Sequence, residues 1–300
     1  MKTTIELNKR FTKDYKLPIR LFDEPYFSYQ LYLFDKYYNC KAKYELFKKV
    51  LSTFPTEKEY DNYYKTIKES MMYYIIYSKG FNNFSNEYLL PKEVNFIQRD
   101  IYKETFIGKR FLSIDMIKAN FNSLKYYDPS IFDYKDTWED FVRKFTDNEH
   151  IIQSKYIREV ILGKCNPSQQ TVYERILMHD LVSKSCTDNV VYFNNDEVVF
   201  DITNLSEDKV NSLINTFKTN AVVPVRIELF NLKAIYKDNK IISYIKQFDD
   251  GTVDFKKYDN RYISCIIKLL ENKPITNEDL VYEKDGEICK ITEIPNLTIK

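Results

Sequence analysis

Apolar side chains recur at helical spacing through Tyr60, Tyr64, Ile67, Met71 and Ile75, and Thr56 with Glu59 has capping-box spacing just ahead of them. That stripe predicts a helix whose aromatic and aliphatic face packs into a core. The pattern changes at Arg110-Phe111-Leu112-Ser113-Ile114, a short apolar run that reads as a buried strand ending at Asp115. Met116 to Tyr127 has helix-like composition, and helical patterns follow over Thr137–Phe145, Ile151–Leu162 and Ser168–Lys184. Val190-Val191-Tyr192-Phe193 and Val198-Val199-Phe200-Asp201-Ile202 flank the turn Asn194-Asn195-Asp196-Glu197, a hairpin with two acids at its tip. Ser206, backed by Glu207 and Asp208, predicts the cap of a helix running to about Lys218, and Val222–Leu229 is a further strand. The last 70 or so residues read as an antiparallel meander turning at Asp238-Asn239, Asp250-Gly251 and Asp285-Gly286, interrupted by a helix near Tyr262–Leu270.

Helices and strands in these blocks, with no internal repeat, make the chain α+β. A length of 300 residues suits one large domain or two modest ones, and a hydrophobic content of 44% with 16% aromatics excludes a disordered chain. Five glycines exclude glycine-rich architectures. The cysteines Cys40, Cys165, Cys186, Cys265 and Cys289 are odd in number and widely spaced, with only His150 and His179 to join them, which supports neither a disulfide scaffold nor a zinc site. No signal peptide follows Met1, and the longest apolar runs fall well short of about 18 residues, so a cytoplasmic setting without a membrane partner is expected. The excess of tyrosine accompanies an excess of Lys, Asn, Ile and Phe and so reflects an AT-rich coding bias before any stacking role.

Charge changes the picture. Residues 1–110 carry 20 Lys plus Arg against 14 Asp plus Glu, whereas the remaining 190 carry 25 against 30. A basic part joined to an acidic one suits a protein that holds a polyanion near carboxylates, and lysines 41, 43, 48, 49, 65 and 68 are candidate phosphate contacts. An ordinary solvated asymmetry explains the same numbers.

Two acidic positions stand out because of where their strands end. Asp115 closes a buried strand before a helix, and Asp196 with Glu197 sits in the hairpin turn. Acids on adjacent strand ends can share a pair of hard cations held by oxygen ligands about 3.5 to 4 Å apart, the arrangement that supports phosphoryl transfer. Each acid alone is also what a turn or a helix start prefers.

Their surroundings carry a resemblance. Asn195-Asp196-Glu197-Val198-Val199-Phe200-Asp201-Ile202 resembles the His-Asp-Glu-Leu-Val-Phe-Glu-Val hairpin of the family A DNA polymerases, and Val223-Pro224 is similar to the start of the strand that closes that region. Ser113-Ile114-Asp115 and the helix after it look like the family's first catalytic motif. Asn166-Pro167-Ser168-Gln169-Gln170-Thr171 is similar to its Asn-x-Pro-x-Gln-Gly-Thr segment. The likeness spans roughly residues 95 to 232. It implies a palm-like antiparallel sheet with packed helices, in which Asp115, Asp196 and the carbonyl of Met116 bind two Mg²⁺ ions, Mn²⁺ being an alternative. It further implies that Glu197 assists catalysis beside the primer terminus, and that Asn166, Gln169, Gln170 and Asn195 lie along the primer or template. Lys155 and Arg158, on one predicted helix with Gly163, resemble a remnant of the nucleotide-binding helix.

The departures are specific. Asn195 replaces the family's His, Asn120 stands where it has a sugar-screening Glu, and only 80 residues separate Asp115 from Asp196, less than half the usual interval. The expected organisation is a helical, basic, thumb-like or accessory region at 1–95, a palm-like region at 96–235 with reduced fingers at about 130–165, and a β-rich addition at 236–300. The implied function is nucleotidyl transfer to nucleic acid from nucleoside triphosphates by a minimal polymerase, of a kind that suits a phage or virus. The alternatives are a palm-derived protein that binds nucleic acid or a replication partner without catalysis, and an α+β interaction protein whose likeness is fortuitous.

Overall fold

A computed structural model describes residues 3–90, 100–184 and 188–300. Cys186 and the boundary expected at residue 95 lie outside the described residues. The N-terminal part carries α1 (Ile5–Tyr15), α2 (Tyr26–Tyr38), α3 (Cys40–Leu51), α4 (Glu57–Ile76) and α5 (Lys79–Asn86). Helix α4 starts as its capping box predicts, with Thr56 Oγ1 accepting from the Glu59 amide at 3.3 Å, and Tyr60, Tyr64, Ile67, Met71 and Ile75 are its buried face.

Strand β1 (Arg110–Met116) is followed by α6 (Ala119–Tyr127), α7 (Trp138–Val142), α8 (Glu149–Ile152), α9 (Lys155–Leu162) and α10 (Pro167–Ser183). The expected helix from Met116 begins three residues late because the strand runs through Met116 and Lys118 then takes a left-handed turn, φ 46°. The expected single helix over 151–162 is two. Ser154 breaks it by capping α9, its hydroxyl accepting from the Ile157 amide at 3.1 Å while donating to the Asp14 carbonyl at 3.3 Å.

The hairpin β2 (Val190–Phe193) and β3 (Glu197–Asp201) leads through α11 (Glu207–Asn220) to β4 (Val225–Lys237), then β5 (Lys240–Phe248) and β6 (Val253–Lys256). Ser206 stands at the N-cap of α11 but makes no capping hydrogen bond with its side chain, which leaves Glu207 and Asp208 to favour the helix start. Helix α12 (Ile263–Leu270), the hairpin β7 (Val281–Lys284) and β8 (Glu287–Lys290), and β9 (Leu297–Ile299) complete the chain. The expected turns are present, but the C-terminal strands do not form one meander: β7 and β8 pair only with each other among the described residues, and β9 returns to pair with β4.

Among the described residues one antiparallel sheet has the order β2-β3-β1-β4-β5-β6, with β9 beside β4. Alternation gives it two faces. Leu112, Ile114 and Met116 of β1 and Val198 and Phe200 of β3 pack with Leu177, Met178 and Leu181 of α10 and with Val210 and Phe217 of α11. On the opposite face, Phe111, Val199, Phe230 and Leu232 form a small cluster capped by Ile101. The largest core joins Phe11, Phe47 and Met71 to Trp138 and Ile157 and also to Ile245, Phe255 and Ile266. The N-terminal helices and the C-terminal strands therefore share apolar burial, and β4 crosses the boundary expected at 235. No helix of the described residues is long and apolar enough to cross a membrane.

One polar cluster ties the helices together. Asp14, 1% exposed, accepts from the Tyr64 hydroxyl at 2.6 Å and lies 2.7 Å from His150 Nε2, so α1, α4 and α8 meet at one buried carboxyl. Removing both of its oxygens strands two buried partners. Asp14→Ala is therefore expected to lower unfolding free energy in urea by about 3 kcal/mol; a loss below about 0.5 kcal/mol, the size of an ordinary surface change, would show that the cluster contributes nothing specific.

Candidate active site

Strand β1 places Asp115. Its partners in register are Glu197 on β3 and Arg226 on β4. The Met116 amide donates to the Asp196 carbonyl at 2.8 Å, and the Ile117 amide to the Pro224 carbonyl at 2.9 Å, so the hairpin turn and the start of β4 are both pinned to the end of β1. The turn itself is closed by the Asn194 amide on the Glu197 carbonyl at 2.8 Å. Asp115 and Asp196 consequently line one cleft of about 490 Å³.

Met116 and Asn120 line the same cleft, as do Lys155 and Arg158, which α9 brings to its other side. Six of the residues singled out in the sequence thus converge, though α9 lies in the segment between β1 and the hairpin. Sequence reasoning missed Glu174, Arg226, Lys118 and Glu159, which also line the cleft. Glu174 had a readable signal, because it sits among Gln170, Leu177, Met178 and Leu181 on the buried stripe of α10. Arg226 had none without the register of β4.

The carboxyls crowd one another. Burial raises the Asp115 carboxyl above its usual range against the pull of Arg226, and the charges of Glu197 and Asp196 raise it further. Burial, then the charge of Glu197, also raises Asp196, with a backbone hydrogen bond opposing. Glu174 is pushed up to about 8, by burial first and by Asp196 second. On the cationic side, burial lowers both Lys155 and Arg158. Arg226 Nη2 donates to Asp115 Oδ2 at 2.6 Å and its Nε lies 3.0 Å from Glu228 Oε1. Lys118 is held by Glu139 at 2.7 Å, whereas Arg158 makes no ion pair among the described residues and its Nε is buried without a partner.

Other singled-out residues lie outside the cleft. Glu197 accepts from Ser113 Oγ at 2.6 Å and lies 3.4 Å from Lys246 Nζ. Asn166 caps α10, accepting from the Gln169 amide at 3.3 Å. Gln169 Nε2 donates to the carbonyls of Phe84 at 3.2 Å and Glu87 at 2.6 Å, and Gln170 Nε2 to that of Leu162 at 2.8 Å and to that of Cys165. Those amides hold backbone together. Asn195 is half-buried in the hairpin turn, and Gly163 follows the last residue of α9.

Among the described residues no group of three or more His, Cys, Asp or Glu side chains is placed to hold a metal ion. Mg²⁺, however, is commonly bound by one or two carboxylates and completed by substrate phosphates and water. Asp115 and Asp196 supply two carboxylates of that kind to one cleft, and a hard divalent cation there would offset the burial that raises both carboxyls. No known protein family matches the chain, and no curated protein matches it.

Glu174 gives the site a pH signature. Its carboxyl rises from the usual 4.5 to about 8 on folding, so its contribution to stability is fully present below pH 4.5 and is lost as pH rises through 8. In metal-free buffer, Glu174→Gln should melt close to the wild type near pH 5 and well above it near pH 8.5. Equal differences in melting temperature at the two pH values would show that the carboxyl is not held protonated by its surroundings.

Proposed function

We propose that the protein is a nucleotidyltransferase, a reduced relative of the family A DNA polymerases that extends a nucleic-acid strand from nucleoside triphosphates. The observation that carries this reading is the convergence in one cleft of Asp115 and Asp196, from adjacent segments of one sheet, with Lys155 and Arg158 across from them. On this reading β1, the β2–β3 hairpin and β4 are the palm, with α10 and α11 on its back. Residues 1–95 are a thumb-like or accessory region, about 130–165 the reduced fingers, and 236–300 an addition that braces the sheet. A phage or viral origin and a cytoplasmic setting belong to the same reading.

Asp115, Asp196 and the Met116 carbonyl would hold two Mg²⁺ ions, or Mn²⁺ in their place. Such ions, when bound, activate the attacking hydroxyl and stabilise the attacking and leaving oxygens. The residues of the chain supply the rest. Lys155 and Arg158 neutralise the triphosphate, and Arg158, which makes no ion pair among the described residues, meets it without breaking one. Asn120 borders the sugar. Asn195 lies beside the primer terminus, while Asn166, Gln169 and Gln170 fix the start of the helix that carries Glu174. The 3′-hydroxyl loses its proton and attacks the α-phosphorus; the new P–O bond forms as the bond to pyrophosphate breaks.

A second reading, a palm-derived protein that binds nucleic acid without catalysis, is favoured by the engagement of Glu197 with Ser113 and Lys246 instead of the cleft. Primer extension separates the two. With a labelled primer–template, Mg²⁺ and dNTPs or NTPs, the wild type should add nucleotides, and Asp115→Asn or Asp196→Asn should slow addition by about a thousandfold, from the several kcal/mol such a centre supplies. Arg158→Ala should raise KM for the triphosphate more than it lowers kcat. Binding of DNA without extension by the wild type would leave the second reading standing.

A further inference from the structure

Arg226 is the residue whose position the proposed chemistry does not yet explain. It stands directly across from Asp115 in the pairing of β1 with β4, lines the cleft, and is 59% exposed. Its Nη2 covers Asp115 Oδ2 at 2.6 Å. A carboxylate expected to take a divalent ion is thus already capped by a monovalent one. The other end of the guanidinium is anchored separately, with Nε 3.0 Å from Glu228 Oε1. Glu228 in turn lies 3.6 Å from the buried Lys246, so it keeps a cation whether or not Arg226 stays. Release from Asp115 would leave Arg226 pivoting on Glu228, with its outer nitrogens turned to the cleft.

The cations across the cleft point to what it would meet there. Burial lowers the Lys155 ammonium first, Glu159 opposes it, and the charges of Lys16, Arg158 and Arg226 lower it further, so Arg158 and Arg226 lie within electrostatic reach of Lys155 and an anion between the three would relieve their repulsion. A guanidinium fork matches a phosphate as well as a carboxylate.

Building on the nucleotidyltransferase reading, we propose that Arg226 is a two-position cation. It closes Asp115 while the cleft is empty; once Asp115 is engaged by a divalent ion, it turns on Glu228 to the phosphates of the incoming nucleoside triphosphate. Exchange of partners keeps the charge of the cleft balanced at each stage, since Asp115 is never left bare and Arg226 never lacks an acid or a phosphate.

The test uses the whole protein and reads binding, without turnover. Mn²⁺ affinity is measured by the paramagnetic resonance of the free ion, with neither nucleotide nor nucleic acid present; affinity for a non-hydrolysable nucleoside triphosphate is then measured calorimetrically at saturating Mn²⁺. Arg226→Gln should tighten Mn²⁺ binding about 10-fold, by removing a unit charge some 5 Å from a divalent ion. The same variant should weaken triphosphate binding about 10-fold, by removing a charged phosphate contact. Arg226→Lys, which keeps the charge without the fork, should leave Mn²⁺ affinity near the wild-type value and weaken the triphosphate. Opposite signs for one substitution are the signature, and circular dichroism melting confirms that each variant is folded. If Arg226→Gln leaves Mn²⁺ affinity unchanged or weaker while Asp115→Asn abolishes it, the two-position role is overturned and the metal-site reading stands. Mn²⁺ binding that is absent throughout, or indifferent to Asp115→Asn and Asp196→Asn, overturns both.

Discussion

Strand β1 has no free edge: β3 pairs with Phe111–Asp115 and β4 with Arg110–Met116, and one face of the strand lies against the helices. The position of its last residues is therefore set by hydrogen bonds on both sides and by packing beneath. Asp115 cannot shift without disturbing a ladder, and Asp196 is tied to the same point through the amide of Met116. Backbone geometry, which is indifferent to charge, thereby brings to one cleft two half-buried carboxyls that burial raises. Lys155, Arg158 and Arg226 line the same cleft, and Glu174 favours its neutral form.

A belt of alternating charge crosses the face of the sheet opposite α10 and α11. Asp115 meets Arg226, Arg226 meets Glu228, Glu228 and Glu197 share Lys246, and Glu197 accepts from Ser113. Lys246 is 4% exposed and is paired with both acids, 3.4 Å from Glu197 and 3.6 Å from Glu228. The chain links β1, β3, β4 and β5 through side chains of one face. It also makes Glu197 part of the scaffold beside the cleft, because releasing it would leave a buried lysine with a single acidic partner. A carboxylate can sit in a motif associated with catalysis and still be held by its neighbours in a structural pairing.

What could be read from the residues alone was whatever depends on local periodicity. The buried stripe of α4 follows from helical spacing, and the strand carrying Asp115 and the hairpin carrying Asp196 from short apolar runs, though the first strand runs one residue further than expected, through Met116. The break at Ser154 was not legible, because apolar spacing continues across it and the deciding contact is with Asp14, far away in sequence. Gln169 and Gln170 look like polar residues free for a ligand until the carbonyls of Phe84, Glu87, Leu162 and Cys165 are seen to use their amides. Arg226 was invisible for a related reason. An arginine in a strand has no address until the neighbouring strand and its register are known.

Net charge near zero and a basic first third suggested a phosphate-gripping arm, but the side chains redistribute that expectation. Lys41, Lys48 and Lys65 lie beside Asp35, Glu45 and Glu69, and Lys43 donates to the Tyr38 carbonyl at 2.6 Å. Much of the positive charge of that arm is compensated locally or used to hold its own helices. Where β1, β4 and α9 approach, Arg158 has no ion pair among the described residues, Lys155 reaches Glu159 only at 4.0 Å, and Arg226 is shared between two acids. The C-terminal strands also take part in the cleft, since β5 supplies the Lys246 that lies 3.6 Å from Glu228 behind Arg226.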